Sequence, residues 1–206
     1  SDYFEHSLSE SINFDNNYDL IKKDINDNFT KYKSIFVNTD KAYKGWETTK
    51  LEKIFTPRNE KVGDRNIIEY SCTNFGITQR DNKFTKKLSK SISKNKIAKK
   101  GDFVFGMSRQ ILNFGMMKED IGCFSGAYKI YEVKKGFNFS KYLESYIRSN
   151  HDYFYQCIPG GAREGKSISE DILFKLSIKI PPQKILDNYF SFLEHLIKKQ
   201  KLLDDM

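Results

Sequence analysis

A chain of 206 residues with 35 Lys and Arg against 27 Asp and Glu carries a formal charge of +8, which fits a polyanionic partner or a solvated Lys-rich surface. Only 38% of its residues are hydrophobic, yet 17 Phe and 12 Tyr can build the core of one domain, or of one domain with an appendage. Cys72, Cys123 and Cys157 are odd in number, with no C-x-x-C, and no apolar run reaches the roughly 20 residues of a membrane span. A disulfide framework, a zinc site and a membrane partner are thereby excluded, and a cytoplasmic location is expected. No signal-peptide core opens the chain either.

Residues 1–44 are polar, rich in Asn and Asp, and contain no Gly or Pro. Tyr18, Ile21, Ile25, Phe29, Tyr32 and Phe36 recur at helical spacing, which predicts an amphipathic helix from about Asp15 to Lys33. That helix could pack on the main domain or on a partner. The main domain is expected to begin near Gly45-Trp46, with a loop at Pro57-Arg58-Asn59. Ile67–Cys72 reads as a short strand, and Asn74–Ile77 as a turn and a second extended piece. Lys83–Lys100 is a basic segment with no acid in it. Gly101-Asp102 reads as a turn, Phe103–Met107 as a buried strand, and Ser108–Gly115 as a hairpin or exposed loop. Ile121–Val133 contains another strand. Phe139–Tyr155 reads as a helix with Ser140 as its N-cap, and Ser169 is placed to cap a short helix through Leu173. After the Gly-rich loop Gly160–Lys166, a strand ending at Ile180 meets Pro181-Pro182. A helix then runs from about Pro182 to Leu203. Ile185, Tyr189, Phe192, Leu196 and Leu203 form its heptad-like seam, which Leu186, Leu193 and Ile197 widen. Such a stripe calls for a partner helix.

Signs of catalysis are lacking. His6, His151 and His195 are scattered and stand in no metal-ligand or triad pattern. Glu119-Asp120 and Glu170-Asp171 read as surface or capping acids. The adenine-methylation motif, Asn or Asp followed by Pro-Pro-Tyr, is absent, because Pro181-Pro182 follows Ile180 and leads into Gln183. No P-loop or Gly-x-Gly-x-x-Gly occurs. The expected catalytic, metal and cofactor sets are empty.

The order of basic Gly loop, strand, Pro-Pro-Gln and helix resembles the DNA-specificity subunit of type I restriction-modification systems. The residues that carry the likeness are Gly161-Ala162-Arg163 and Leu176-Ser177-Ile178-Lys179-Ile180-Pro181-Pro182-Gln183. Trp46 through Ile54, Gly101-Asp102-Phe103-Val104 and Ser125 through Ile130 add to it. The likeness covers about residues 46–203. It implies a non-catalytic α/β (α+β) protein. Its parts would be an N-terminal helical extension at 1–44, an irregular mixed-sheet target-recognition domain at 45–180, and a coiled-coil-like spacer helix at 181–206. A full specificity subunit has two recognition domains and two spacers, so this chain resembles a half-subunit. The implied partners are double-stranded DNA, a DNA methyltransferase (modification) subunit, a restriction subunit, and a second copy of the chain bound through the C-terminal helix. The Asn-rich first 44 residues also fit a rival: the recognition module of a single-chain type II restriction-methyltransferase.

Under this likeness the candidate DNA contacts fall into three groups. Lys83, Lys86, Lys87, Lys90, Lys94 and Lys96 could neutralise phosphates; a solvated lysine run is the alternative. Arg80 and Arg109 could read guanine, and Gln110 and Asn113 adenine; a surface ion pair is the alternative for Arg109. Arg163 and Lys166 sit in a Gly-rich loop whose backbone can approach a phosphate or simply link two domains.

Overall fold

The computed structural model describes Leu20, Lys23 and residues 45–80, 92–160 and 165–205. The chain divides into two compact units. One is Trp46–Ile180, and the other combines Ser1–Gly45 with Pro181–Met206.

In the first unit, short strands assemble into several small sheets. Strand β1 (Glu47–Lys50) pairs antiparallel with β10 (Ser177–Ile180). Strands β2 (Phe55–Pro57), β9 (Lys129–Val133), β6 (Phe103–Phe105) and β7 (Phe114–Met116) form a four-stranded antiparallel sheet in that order. Strands β3 (Tyr70–Thr73) and β4 (Gly76–Gln79) make a hairpin, and β5 (Lys96–Lys99) pairs with β8 (Ile121–Phe124). Glu69 and Cys123 add a parallel bridge to these antiparallel ladders. The expected α+β class with small, irregular sheets is the architecture observed.

The alternation of β6 explains how the central sheet is covered. Phe103 and Phe105 share one face with Phe55, Phe114 and Tyr131, whose rings lie 5.1–6.4 Å apart. Val104 points to the other face, in a cluster with Tyr70, Cys72, Phe124 and Ile130. Successive side chains of a strand alternate, so three residues serve two cores. The β3–β4 hairpin lies close on this second face because two facing positions are glycine. A Cβ at Gly106 would stand 2.8 Å from the Cys72 carbonyl oxygen, and one at Gly115 3.0 Å from the Ile77 nitrogen.

The Gly101-Asp102 turn is structural. Arg58 Nε donates to Asp102 Oδ2 at 2.6 Å, and the Lys99 amide donates to the same oxygen at 2.8 Å. The Asp102 side chain is only 3% exposed. Burial pushes its carboxyl above the usual range, while the hydrogen bond from Arg58 opposes that shift.

Two helical expectations need correction. Helix α1 (Gly136–Ser149) starts before Ser140, so that residue is no N-cap. Its hydroxyl is buried and donates to the Gly101 carbonyl at 2.8 Å. The helix also breaks at Asn150, and a separate turn, α2 (His151–Tyr155), follows. By contrast, Ser169 does cap α3 (Glu170–Lys175), accepting from the Ile172 amide. Lys96–Lys99, within the expected basic segment, is a strand whose Ile97 and Ala98 are fully buried.

In the second unit, α4 (Gln183–Asp204) follows Pro181-Pro182, and the Pro182 carbonyl accepts from the Ile185 amide at 2.9 Å. The covered seam is rotated from the one expected. Leu186, Tyr189 and Leu196 are buried, and Phe192 and Leu193 half-buried. Ile185 is exposed, and Ile197 and Leu202 are 64% and 65% exposed. Tyr189 and Leu196 are therefore already covered within one chain. The Leu203 side chain and the helix expected over residues 15–33, Leu20 and Lys23 apart, lie outside the described residues.

Candidate nucleic-acid interface

The open end of the β6–β7 hairpin is a loop, residues 106–113, built by its own polar groups. The Gly106 amide donates to the Asn113 carbonyl at 2.9 Å. The buried Ser108 hydroxyl accepts from the Asn113 amide at 2.9 Å and donates to the Gly106 carbonyl at 3.3 Å. Asn113 Nδ2 donates to the Met107 carbonyl at 2.7 Å. This bond draws the Asn113 amide group into the loop itself. Arg109 and Gln110 remain exposed at the tip, beside exposed Met107 and Ile111.

Two further elements brace the loop. Ser108 and Lys166 form an antiparallel bridge, each amide donating to the other's carbonyl at 2.8 Å. Gly165 packs beside Met107; a Cβ there would lie 3.5 Å from Met107 Cβ. From α2, Tyr155 Oη donates to the Arg109 carbonyl at 3.0 Å, and His151 Nε2 accepts from the Leu112 amide at 3.2 Å. The Arg109-Gln110 tip and the end of the Gly-rich loop, which are more than fifty residues apart in sequence, are thus brought together. Exposed Lys166 adds its ammonium to that surface, near the Gly160 carbonyl at 3.5 Å.

The other candidates are dispersed. Arg80 is turned inward: its side chain is 14% exposed, with Nη1 3.5 Å from Glu69 Oε1. Lys94 is exposed at the end of a short turn, Ile92–Lys94. Lys96 Nζ donates to the Tyr128 carbonyl at 2.8 Å. Burial, then the nearby charges of Lys61 and Lys129, hold its ammonium below the usual lysine range. Lys83, Lys86, Lys87, Lys90 and Arg163 lie outside the described residues.

Sequence reasoning missed Ser108, His151 and Tyr155. The only signal for the last two was their i, i+4 spacing, which puts them on one side of a helical turn. Among the described residues no group of three or more His, Cys, Asp or Glu could hold a metal ion. No described helix is long and apolar enough to cross a membrane.

No family model matches the chain. No curated protein matches it either. Solved structures do. The chain is similar to the HsdS subunit from Thermoanaerobacter tengcongensis at 12% identity and a TM-score of 0.51, over 91% of this chain and 47% of that one. A second similar chain belongs to a structure on complex assembly and conformational transition of the type I R-M system. It matches at 14% identity and a TM-score of 0.47, over 79% of this chain and 45% of that one. The chain spans about half the length of both. The first likeness shows that the chain shares its fold with about half of that subunit.

Proposed function

We propose that this chain is a half-length DNA-specificity subunit of a type I restriction-modification system. The unit Trp46–Ile180 reads one part of a split site in duplex DNA. The chain catalyses nothing itself. It directs a methyltransferase (modification) subunit, and for cleavage a restriction subunit, to that site. The observation that carries this reading is the Ser108–Lys166 bridge, which unites an exposed Arg109-Gln110 tip with a basic Gly-rich segment on the fold of an HsdS half. A guanidinium and a carboxamide at one tip suit base edges, and flanking lysines suit phosphates. Lys94 and Lys166, both exposed, are the described lysines assigned to phosphate.

Because 47% of the T. tengcongensis subunit is matched, two copies of this chain supply about the length of one such subunit. We assign α4 the role of spacer, with residues 1–44 as an extension. Among the described residues, the exposed Ile185, Ile197 and Leu202 are the side chains we assign to a second helix, since Leu186, Tyr189 and Leu196 are already buried.

The test is duplex binding as a function of salt. Lys94→Ala with Lys166→Ala is expected to lower the log–log salt slope by about one per contact, and to weaken all sequences alike. A wild-type chain that retains no duplex at low salt sinks the reading. For assembly, Ile197→Asp is expected to turn a dimer into a folded monomer in sedimentation velocity. A wild-type monomer, with or without the modification subunit, removes α4 from that role.

A further inference from the structure

The turn α2 lies outside every segment that the sequence assigned to DNA contact, yet it holds the Arg109-Gln110 tip at two points. Its first and last residues, His151 and Tyr155, are one helical turn apart, with ring centroids 5.9 Å apart. Tyr155 Oη holds the carbonyl of Arg109, and His151 Nε2 holds the amide of Leu112. The two anchors bracket the exposed stretch from Arg109 to Ile111 without using any side chain of that stretch.

We propose that His151 and Tyr155 are positioning residues for sequence discrimination: they fix the backbone of residues 109–112, and so determine which base edges Arg109 and Gln110 meet. The inference rests on the DNA-reading role proposed above. Bidentate reading of a base needs a donor pair placed to within a fraction of an ångström. A hairpin tip without such anchors samples many conformations, and its arginine then meets phosphates as readily as bases. Phosphate contact gives affinity but no selectivity.

The His151 ring serves as an acceptor in this anchor. Nε2 accepts from the Leu112 amide at 3.2 Å, and Nδ1 faces Asp152 Oδ1 at 3.5 Å. Asp152 and Tyr155 of the same turn lie beside the imidazole.

The experiment selects sequences from a random duplex library with the full chain at neutral pH, and follows amide hydrogen exchange at Leu112. Wild type is expected to enrich one sequence at neutral pH. His151→Leu and Tyr155→Phe should lose about tenfold of that preference over random duplex. Their salt slopes should stay at the wild-type value, because no phosphate contact is removed. Leu112 should exchange faster in His151→Leu than in wild type. His151→Gln keeps an acceptor, so it should restore the preference. Selection as sharp as wild type in both His151→Leu and Tyr155→Phe overturns this inference and leaves the DNA reading standing. A wild type that retains no duplex overturns both.

Discussion

The two ends of the β6–β7 hairpin are held by different physics. At the strand end, Phe103, Phe105 and Phe114 sit in a ring cluster with Phe55 and Tyr131, and each is at most 2% exposed. At the loop end, Arg109 and Gln110 are exposed, and the backbone beneath them is fixed by hydrogen bonds to Ser108, Asn113, His151, Tyr155 and Lys166. Apolar packing is non-directional and strong in sum, so it suits a platform. Hydrogen bonds are individually modest but directional, so they suit the placement of a loop whose side chains must stay free. The first end makes the second possible: a tip can be polar and exposed because its stem is buried on both faces.

The largest effect that separates the two ends is expected at the stem. Phe105→Ala removes a ring in contact with Phe55, Phe114 and Tyr131. Truncation of a buried Phe costs about 3–5 kcal/mol through lost transfer energy and the cavity left behind. That is a large share of the stability of a domain this size. Urea denaturation should show a midpoint shift of that order, with any loss of DNA binding following the loss of fold. A shift below about 1 kcal/mol would mean that the aromatic cluster is not the platform described, and the contrast between the ends would fail.

The sequence made the platform more legible than the tip, for a physical reason. Burial leaves a local imprint: Phe103-Val104-Phe105 reads as a buried strand because every side chain in it is apolar. Ser169 could be read as a cap because its partner, Ile172, is three residues away. Partners far away in sequence leave no such imprint. Ser140 looked like an N-cap, but its hydroxyl finds Gly101, thirty-nine residues earlier. Lys96 and Lys99 looked like one basic run, yet they flank buried Ile97 and Ala98 in a strand paired with β8. Arg80 looked like a free guanidinium until Glu69 was placed beside it. The seam of α4 was found to within one residue of rotation, since helical periodicity fixes a stripe but not which edge of it is covered. In the candidate site, Arg109, Gln110 and Lys166 could be chosen by residue type. Their union could not, because the Ser108–Lys166 bridge joins segments that share no local pattern.

The smallest expected stability effect, and the sharpest test of the comparison, is at Arg109. Its side chain is exposed, and the contact that holds the residue in place is made by its backbone carbonyl, which accepts from Tyr155 Oη. Arg109→Ala keeps that carbonyl. Surface substitutions away from caps and buried networks stay within about 0.5 kcal/mol, so the denaturation midpoint should hardly move. Sequence preference should fall instead, by about 1–3 kcal/mol at the base pair that the guanidinium reads, with other positions of the site unaffected. The salt slope separates this from loss of a phosphate contact: a lysine-like role lowers it by about one and weakens every sequence equally. If Arg109→Ala lowers the slope and leaves the preference intact, Arg109 contacts the backbone, and base reading passes to Gln110 alone. If it lowers the midpoint by more than about 1 kcal/mol, the guanidinium is part of the scaffold, and the division between a buried stem and a free tip does not describe this hairpin.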